Sequence, residues 1–386
     1  MNHQRLPGLD LLRALAILWV MAYHLVSHGP AFGPILGPLV DLGWMGVDLF
    51  FVLSGFLVGG QVLAARASRD GVDWGGYLLR RGLRVLPAYL AVLALYLWLP
   101  GWRESPGMQP AWQFLGFSAN LFPDYFRNRA FSHAWSLCVE EHFYLLLPLV
   151  VVVLSRRPSL RKSALCVLAL LLAGIALRAW AWRTEVAPYL HVSEGEDWFF
   201  LRYVEHVYNP TWARLDGLLA GATLAAIRIH RPAWWDWMMA RAWAFLGTGV
   251  LVVAAAARLF GGFVSEAGAL IGFPILSIGL AALLVGMASP RILPGRAELP
   301  GVRLLATLAF SLYLTHKAVF HLVEQVAGAR LAQSSLLALA CHGGAALAVA
   351  ALLYLAVERP GLRLRERLAR LRAQPAMPSR KPGDAW

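Results

Sequence analysis

Ten stretches of this chain are apolar for about the 20 residues that an α-helix needs to cross the hydrocarbon of a bilayer. They are residues 9–27, 40–63, 78–99, 134–154, 163–182, 210–228, 242–259, 268–288, 303–325 and 335–357. In lipid every backbone N–H and C=O must be bonded within its own segment, which selects helices for runs of this length. The expected fold class is therefore an all-α polytopic membrane protein of about ten transmembrane helices. Composition agrees: 59% of residues are apolar and 15% charged, against about half and about a quarter in soluble proteins. The shorter stretch 111–122 sits between polar flanks and is expected to lie at the interface or to re-enter.

The net charge of +13 first suggests nucleic acid. The positions of the cations give a simpler account. With the N-terminus placed inside, 24 of the 35 Lys and Arg fall in inside segments, seven in outside segments and four within spans. That asymmetry is the positive-inside pattern for an even number of helices with both termini cytoplasmic, and no nucleic-acid partner is expected. Arg13 interrupts the first apolar run and no small-residue cleavage site follows, so that run is read as a span and not as a signal peptide. Residues 1–360 form the membrane domain in this reading. Residues 361–386 form a basic amphipathic, partly disordered cytoplasmic tail, with 362–371 as a helix on the lipid surface. Cys138, Cys166 and Cys341 have neither zinc-ligand spacing nor the look of a disulfide framework. No metal and no permanently bound cofactor are expected.

Charged groups inside spans are costly and mark functional paths. The first span carries Arg13 and His24. Eleven residues separate them, which is about 16 Å along a helix and about 20° around it, so they share a face. Arg13 falls in the inner half and His24 near the outer end. Snorkelling would explain Arg13 alone, and an interfacial position His24 alone. The second span carries Asp48 and then Ser54-Gly55. In "HAWSLCVEEHFY" (133–144), Ser136, Glu140 and Tyr144 recur every four residues as one polar stripe, with His133 and Glu141 on a neighbouring face. Arg214 and Asp216 open the sixth span, and Tyr313, His316 and Lys317 lie in the ninth. His24, Glu140, Arg214 and Asp216 are placed in the outer half. At the inner start of the third span stand Arg80, Arg81 and Arg84. Positive-inside flanking accounts for them simply, whereas a phosphate clamp uses the fit of guanidinium forks to phosphate oxygens. The outline is a passage, basic at the cytosolic mouth and bearing histidine and carboxylates further out. An acyl-CoA, with phosphates at one end and a thioester at the other, has the matching shape.

These residues resemble the integral-membrane acyltransferase-3 family. The likeness runs over about residues 6–360. It rests on Arg13-x10-His24, "FFVLSGFL" around Ser54, "RRGLRVLPAY", "HAWSLCVEEHFY", "RLDGLLAG", "SLYLTHKAV" and "VERP" with Glu358, in that order. The resemblance implies transfer of an acyl group from cytosolic acyl-CoA, with acetyl-CoA as the foremost donor, to a hydroxyl. The acceptor is usually a carbohydrate or glycoconjugate at the extracytoplasmic face of the bacterial inner membrane. Many members carry a fused extracytoplasmic esterase-like domain. The sequence stops shortly after the tenth span, so a relay to such a domain on the same chain is not expected.

In chemical terms, a hydroxyl needs a base as it attacks a thioester, and His24 is assigned that role. Glu140 is expected to orient it. Ser54, Tyr313 and His316 are unranked candidates for the oxyanion donors. Arg13, Arg81 and Arg84, with Ser54, are expected to bind the donor, and Ser136, Tyr144, Arg214, Asp216, Tyr313 and His316 to support the site. An acyl-histidine intermediate stays open beside direct transfer. Cys138 is out of phase with Glu140 and is not expected to be a nucleophile. A transporter or flippase of an acylated or anionic substrate is the alternative reading, since charged intramembrane residues also line transport paths. A lipid-binding scaffold, indifferent to His24, is a third. The outer segment 183–209 carries Glu185, Glu194, Glu196, Asp197 and Glu205 among Tyr189, Trp198, Phe199 and Phe200. That suits either sugar stacking or a solvated loop with interfacial anchors. Oligomeric state is left open.

Overall fold

In the computed structural model the described residues are 6–28, 32–67, 73–190, 197–294, 299–332 and 334–373. Fifteen α-helices are found among them: α1 Pro7–Leu25, α2 Gly33–Asp41, α3 Met45–Ala67, α4 Trp74–Trp98, α5 Ala111–Leu115, α6 Trp135–Ser155, α7 Leu160–Ala181, α8 Asp197–Tyr203, α9 Asp216–His230, α10 Pro232–Ala240, α11 Ala242–Phe260, α12 Phe273–Ala288, α13 Val302–Leu331, α14 Ser335–Leu353 and α15 Arg359–Ala373. The described residues hold no β-strand, only an isolated bridge between Met108 and Ala130. The protein is all-α and polytopic, as expected.

Seven helical stretches among the described residues are long and apolar enough to cross a membrane. They begin at Pro7, Met45, Ser132, Leu160, Ala242, Gly268 and Ser335. The other three expected spans also form helices, α4, α9 and α13, but are not among these seven. α9 has only 15 residues. The lipid requirement shows in what is left uncovered: Leu149 and Val153 on α6, Leu168 and Leu172 on α7, and Leu251 on α11 are more than half exposed.

One expected boundary is corrected. The apolar run 40–63 is not a single span, because the chain breaks after Asp41 and α3 starts at Met45. A Cβ on Gly43 would overlap the Trp19 carbonyl, so the break lets this turn pack directly on α1. The region 111–122 contributes only the short α5 and turns.

The centre is the α3–α9 pair. A Cβ on Gly55 would overlap the Leu218 carbonyl, and one on Gly221 the Val52 carbonyl. Backbone therefore meets backbone, the small-residue mode of helix contact in membranes. Buried ion pairs hold the start of α9 on two sides, Arg214 to Asp48 on α3 and Asp216 to Arg178 on α7. Arg214 Nη2 donates to Asp48 Oδ1 at 2.7 Å, and Arg178 Nη1 donates to Asp216 Oδ2 at 2.8 Å. Arg214 also lies over the rings of Tyr208 and Phe273, at 4.2 and 4.1 Å. Arg214 and Asp216 thus join helices and do not line the cavity described below.

Arg214→Ala leaves Asp48 buried without its cation, a loss of about 3–5 kcal/mol for a broken buried pair. A large fall in melting temperature in detergent is expected. The double variant Asp48→Leu/Arg214→Met removes both charges and should recover most of it. Equal loss in single and double variants would mean the ion pair is not what stabilises this contact.

Candidate active site

Helices α1, α3, α4, α6, α13 and α15 enclose a cavity of about 980 Å³. Its lining on α3 runs from Val47 to Ala65, about 27 Å of helix at 1.5 Å per residue. That approaches the thickness of the hydrocarbon, about 30 Å. The two ends differ in chemistry. At one end α3 finishes and α4 begins, and Arg66 Nε donates to Ser155 Oγ at the end of α6 at 2.9 Å. Arg80, Arg84 and Arg365 line this end. The other end lies where α6 begins, and carries Ser136 and Tyr313.

Midway sits a carboxylate–arginine knot. Ser54 Oγ donates to Glu140 Oε1 at 3.0 Å, and Tyr144 Oη donates to Glu140 Oε2 at 2.7 Å. Arg81 Nη2 is 3.6 Å from Glu140 Oε2 and 3.4 Å from Glu141 Oε1. Its guanidinium lies 3.6 Å from the centre of the Tyr144 ring. The i, i+4 stripe of Ser136, Glu140 and Tyr144 is real, and all three point inward.

Beyond Tyr313 lies a histidine cluster. His24 Nδ1 is 2.9 Å from His316 Nε2. His316 Nδ1 is 3.0 Å from the Leu312 carbonyl and 2.9 Å from the Tyr313 carbonyl. Carbonyls only accept, so His316 Nδ1 carries the proton and its Nε2 is bare in the neutral ring. His24 Nδ1–H then donates to that Nε2. The same logic leaves the lone pair of neutral His24 on Nε2. Sidedness of this kind is what a general base needs. His133 Nε2 donates to the Leu314 carbonyl at 3.2 Å, and its ring centre is 5.3 Å from that of His316. Tyr313 closes the gap between cavity and histidines. Its Oη donates to the His133 carbonyl at 3.0 Å and lies 2.5 Å from Ser136 Oγ, and its ring centre is 5.9 Å from that of His316.

Two expectations about the site change. Glu140 does not orient His24: both its oxygens are held by Ser54, Tyr144 and Arg81, and His316 is the partner of His24. Glu140 also lies at the level of Arg81, 3.6 Å from it, and not in a separate half of the protein. The segment leading into α6 is packed within the protein, since Phe131, His133 and Ala134 are all buried. Arg81 and Arg84 both line the cavity, and each is paired with carboxylates of the protein. Arg81 faces two carboxylates, and Arg84 Nη1 is 2.9 Å from Glu358 Oε1. Glu358 in turn accepts from Ser311 Oγ at 2.7 Å. Arg13, 3.8 Å from Asp10 Oδ1, lines the cavity.

On the histidine side Lys317 Nζ donates to Ser132 Oγ at 2.8 Å and lies 3.2 Å from Glu104 Oε1. Nothing in the sequence pointed to Glu104. In the segment after α7, Glu185 is 3.6 Å from Arg202 and Glu205 accepts from the Tyr125 N–H at 2.6 Å. These two carboxylates are engaged within the protein. Tyr189 and Trp198 stack at 6.2 Å, with Trp198 42% exposed, so an aromatic face is presented there. Glu194, Glu196 and the tail from 374 onward lie outside the described residues.

Comparison with known proteins bears on this geometry. The acyltransferase-3 family model, described as an acyltransferase domain, matches residues 6–355. The chain is 28% identical to the O-acetyltransferase OatA of Staphylococcus aureus over 58% of its own length and 34% of the relative's. It is 33% identical to YrhL of Bacillus subtilis, provisionally named a peptidoglycan O-acetyltransferase, over 39% of its length and 24% of the relative's. The chain thus spans about a quarter to a third of these relatives. No solved structure matches it.

Proposed function

The chain belongs to the acyltransferase-3 family, and from that premise we propose that it moves a short acyl group, acetyl foremost, from cytosolic acyl-CoA to a carbohydrate hydroxyl at the extracytoplasmic face of a bacterial inner membrane. The ten-span crossing with both termini cytoplasmic belongs to the same proposal. It sets the arginine-lined end of the cavity toward the cytosol and the histidines outward. The observation that carries the reading is the cavity itself: one passage about as long as the bilayer core is thick joins guanidiniums to the neighbourhood of an oriented histidine. Both relatives are named as O-acetyltransferases, YrhL with peptidoglycan as acceptor, which favours acetyl transfer onto a glycan of that kind.

In this reading the nucleotide phosphates rest at the cytosolic end, and the pantetheine arm runs past the Arg81–Glu140 knot. The thioester reaches Ser136 and Tyr313, and Tyr313 turns aside to expose it to His24. The acceptor oxygen then attacks the thioester carbonyl carbon while His24 Nε2 takes the hydroxyl proton. A C–O bond forms, the tetrahedral adduct collapses, the C–S bond breaks, and the imidazolium returns the proton to the leaving sulfur. Ser54 donates to Glu140, both His316 nitrogens are engaged and Tyr313 Oη donates to the His133 carbonyl; the movement that turns Tyr313 aside also frees its O–H, which makes it the oxyanion donor of this reading. His316 holds the His24 ring in the reactive tautomer, the orienting role that a carboxylate plays in hydrolase triads.

Mass spectrometry of cell-envelope and secreted glycans, with and without the gene, tests the acceptor. A glycan bearing +42 Da per ester, the increment of an acetyl group, should be lost with the gene and return with the wild-type chain but not with His24→Ala. An unchanged glycan profile would refute the carbohydrate acceptor.

A further inference from the structure

We infer that α15 is the cytosolic jaw of the donor site and that Arg365 binds a phosphate at the nucleotide end of acyl-CoA; the inference rests on the donor reading above. The helix lies beyond the residues that match the family model, which end at 355. From sequence it reads as a basic helix lying on lipid. The structure gives one flank of it a different neighbour: Arg365, Glu366 and Ala369 line the cavity opposite Arg80 and Arg84.

The position of α15 is fixed rather than loosely apposed. A π-helical turn, Tyr354–Glu358, carries the chain from α14 into it. At the end of that turn buried Glu358 holds both Arg84 on α4 and Ser311 on α13. One turn on, Gly361 meets α4 so closely that a Cβ there would lie 3.0 Å from the Leu83 carbonyl and 3.1 Å from Pro87 Cγ. These two contacts set the register of α15 against the turn of α4 that carries the arginines.

Charge makes the cavity flank of α15 a site and not only a wall. Arg84 is matched by Glu358 at 2.9 Å, and Arg81 by Glu140 and Glu141. Arg80 is 3.8 Å from Asp73. Arg365 is half-buried and makes no ion pair among the described residues. Arg80 and Arg84 line the same end of the cavity as Arg365. A guanidinium held beside like charges at a cavity mouth gains most from an anion bound between them. A phosphate, with several acceptor oxygens for planar N–H forks, is the fitting partner. An anionic lipid headgroup shares that chemistry. The cavity lining favours the donor, because Arg365 faces the passage while Leu364 and Leu371, both more than 45% exposed, occupy the outer side of the same helix.

The test is calorimetric titration of CoA into the full-length protein in phosphatidylcholine nanodiscs. Wild type is compared with Arg365→Ala, Arg365→Lys and Arg363→Ala, the last an exposed basic residue of the same helix outside the cavity lining. Arg365→Ala should weaken CoA about tenfold, as loss of one charged hydrogen-bonding contact does. Arg365→Lys should fall between, and Arg363→Ala should match wild type. Turnover of S-acetylpantetheine, which has no phosphate, should be equal in wild type and Arg365→Ala, which a merely structural loss would not allow. CoA binding by wild type with equal affinity in Arg365→Ala overturns the inference. So does a defect that appears only when phosphatidylglycerol is added to the nanodiscs, which would assign the residue to lipid. Absence of CoA binding in wild type itself would instead overturn the donor reading on which the inference stands.

Discussion

His24→Ala is expected to lose acyl transfer by a factor of about 10²–10⁴, the contribution of a positioned general base, while the protein stays folded and binds CoA as before. The side chain is only half-buried, bonded to His316 and edge-on to Tyr23, so truncation opens no large core void. The cavity lining that holds the donor does not include it. A companion series separates base from positioner. His316→Leu removes the acceptor that fixes His24 and should lower kcat with little change in donor KM. His316→Gln places an amide oxygen that can accept from His24 Nδ1–H and should restore part of kcat. If Gln and Leu behave alike, His316 does not act through that hydrogen bond. Full turnover by folded His24→Ala would remove His24 as the base.

Arg81→Ala should have the second large effect, through the charge of the passage. Its guanidinium is shared by Glu140 and Glu141 and stacked on Tyr144. Removing it leaves two adjacent carboxylates in the path of a polyanionic donor. The lost pairing costs about 3–5 kcal/mol in a buried site, and the uncompensated negative charge should raise donor KM tenfold or more. Arg81→Lys should rescue poorly, because an ammonium has neither the fork that reaches both carboxylates nor the plane that stacks. The double variant Arg81→Ala/Glu141→Gln removes one of the stranded charges and should recover much of the donor affinity. Kinetic constants for the single and double variants decide the matter. No recovery in the double variant would mean that Arg81 contacts the donor phosphate itself.

The parts of the molecule legible in the sequence were those governed by local pattern. Apolar length alone located helices at all ten expected stretches, and seven of the stretches found among the described residues are long and apolar enough to cross a membrane. The i, i+4 spacing of Ser136, Glu140 and Tyr144 placed them on one face for the same geometric reason. What failed depended on long-range contact. His24 and His316 are 292 residues apart, and no periodicity pairs them. Position within an apolar run puts Glu140 and Arg81 in different halves, whereas the ion pair across α4 and α6 puts them at one level. The break before α3 was hidden because Gly43 and Trp44 do not interrupt an apolar run; only the close approach to α1 reveals it. Arg178 gave no sign of its partner Asp216, 38 positions later. The basic face of α15 was visible, but which flank faces a cavity is decided by Glu358 and Gly361.

A thioester that enters from the cytosol and needs a base at the far end of the passage should release CoA only when that base is present. Purified full-length protein in nanodiscs with acetyl-CoA and an acylatable glycan, read as free CoA thiol over time, measures this. Wild type should release CoA in step with ester formation on the glycan, and His24→Ala should release none above background. CoA release that is equal in the two proteins, or absent from a wild type that nonetheless binds CoA, would contradict the account; the second outcome would favour a transporter of the acylated or anionic substrate.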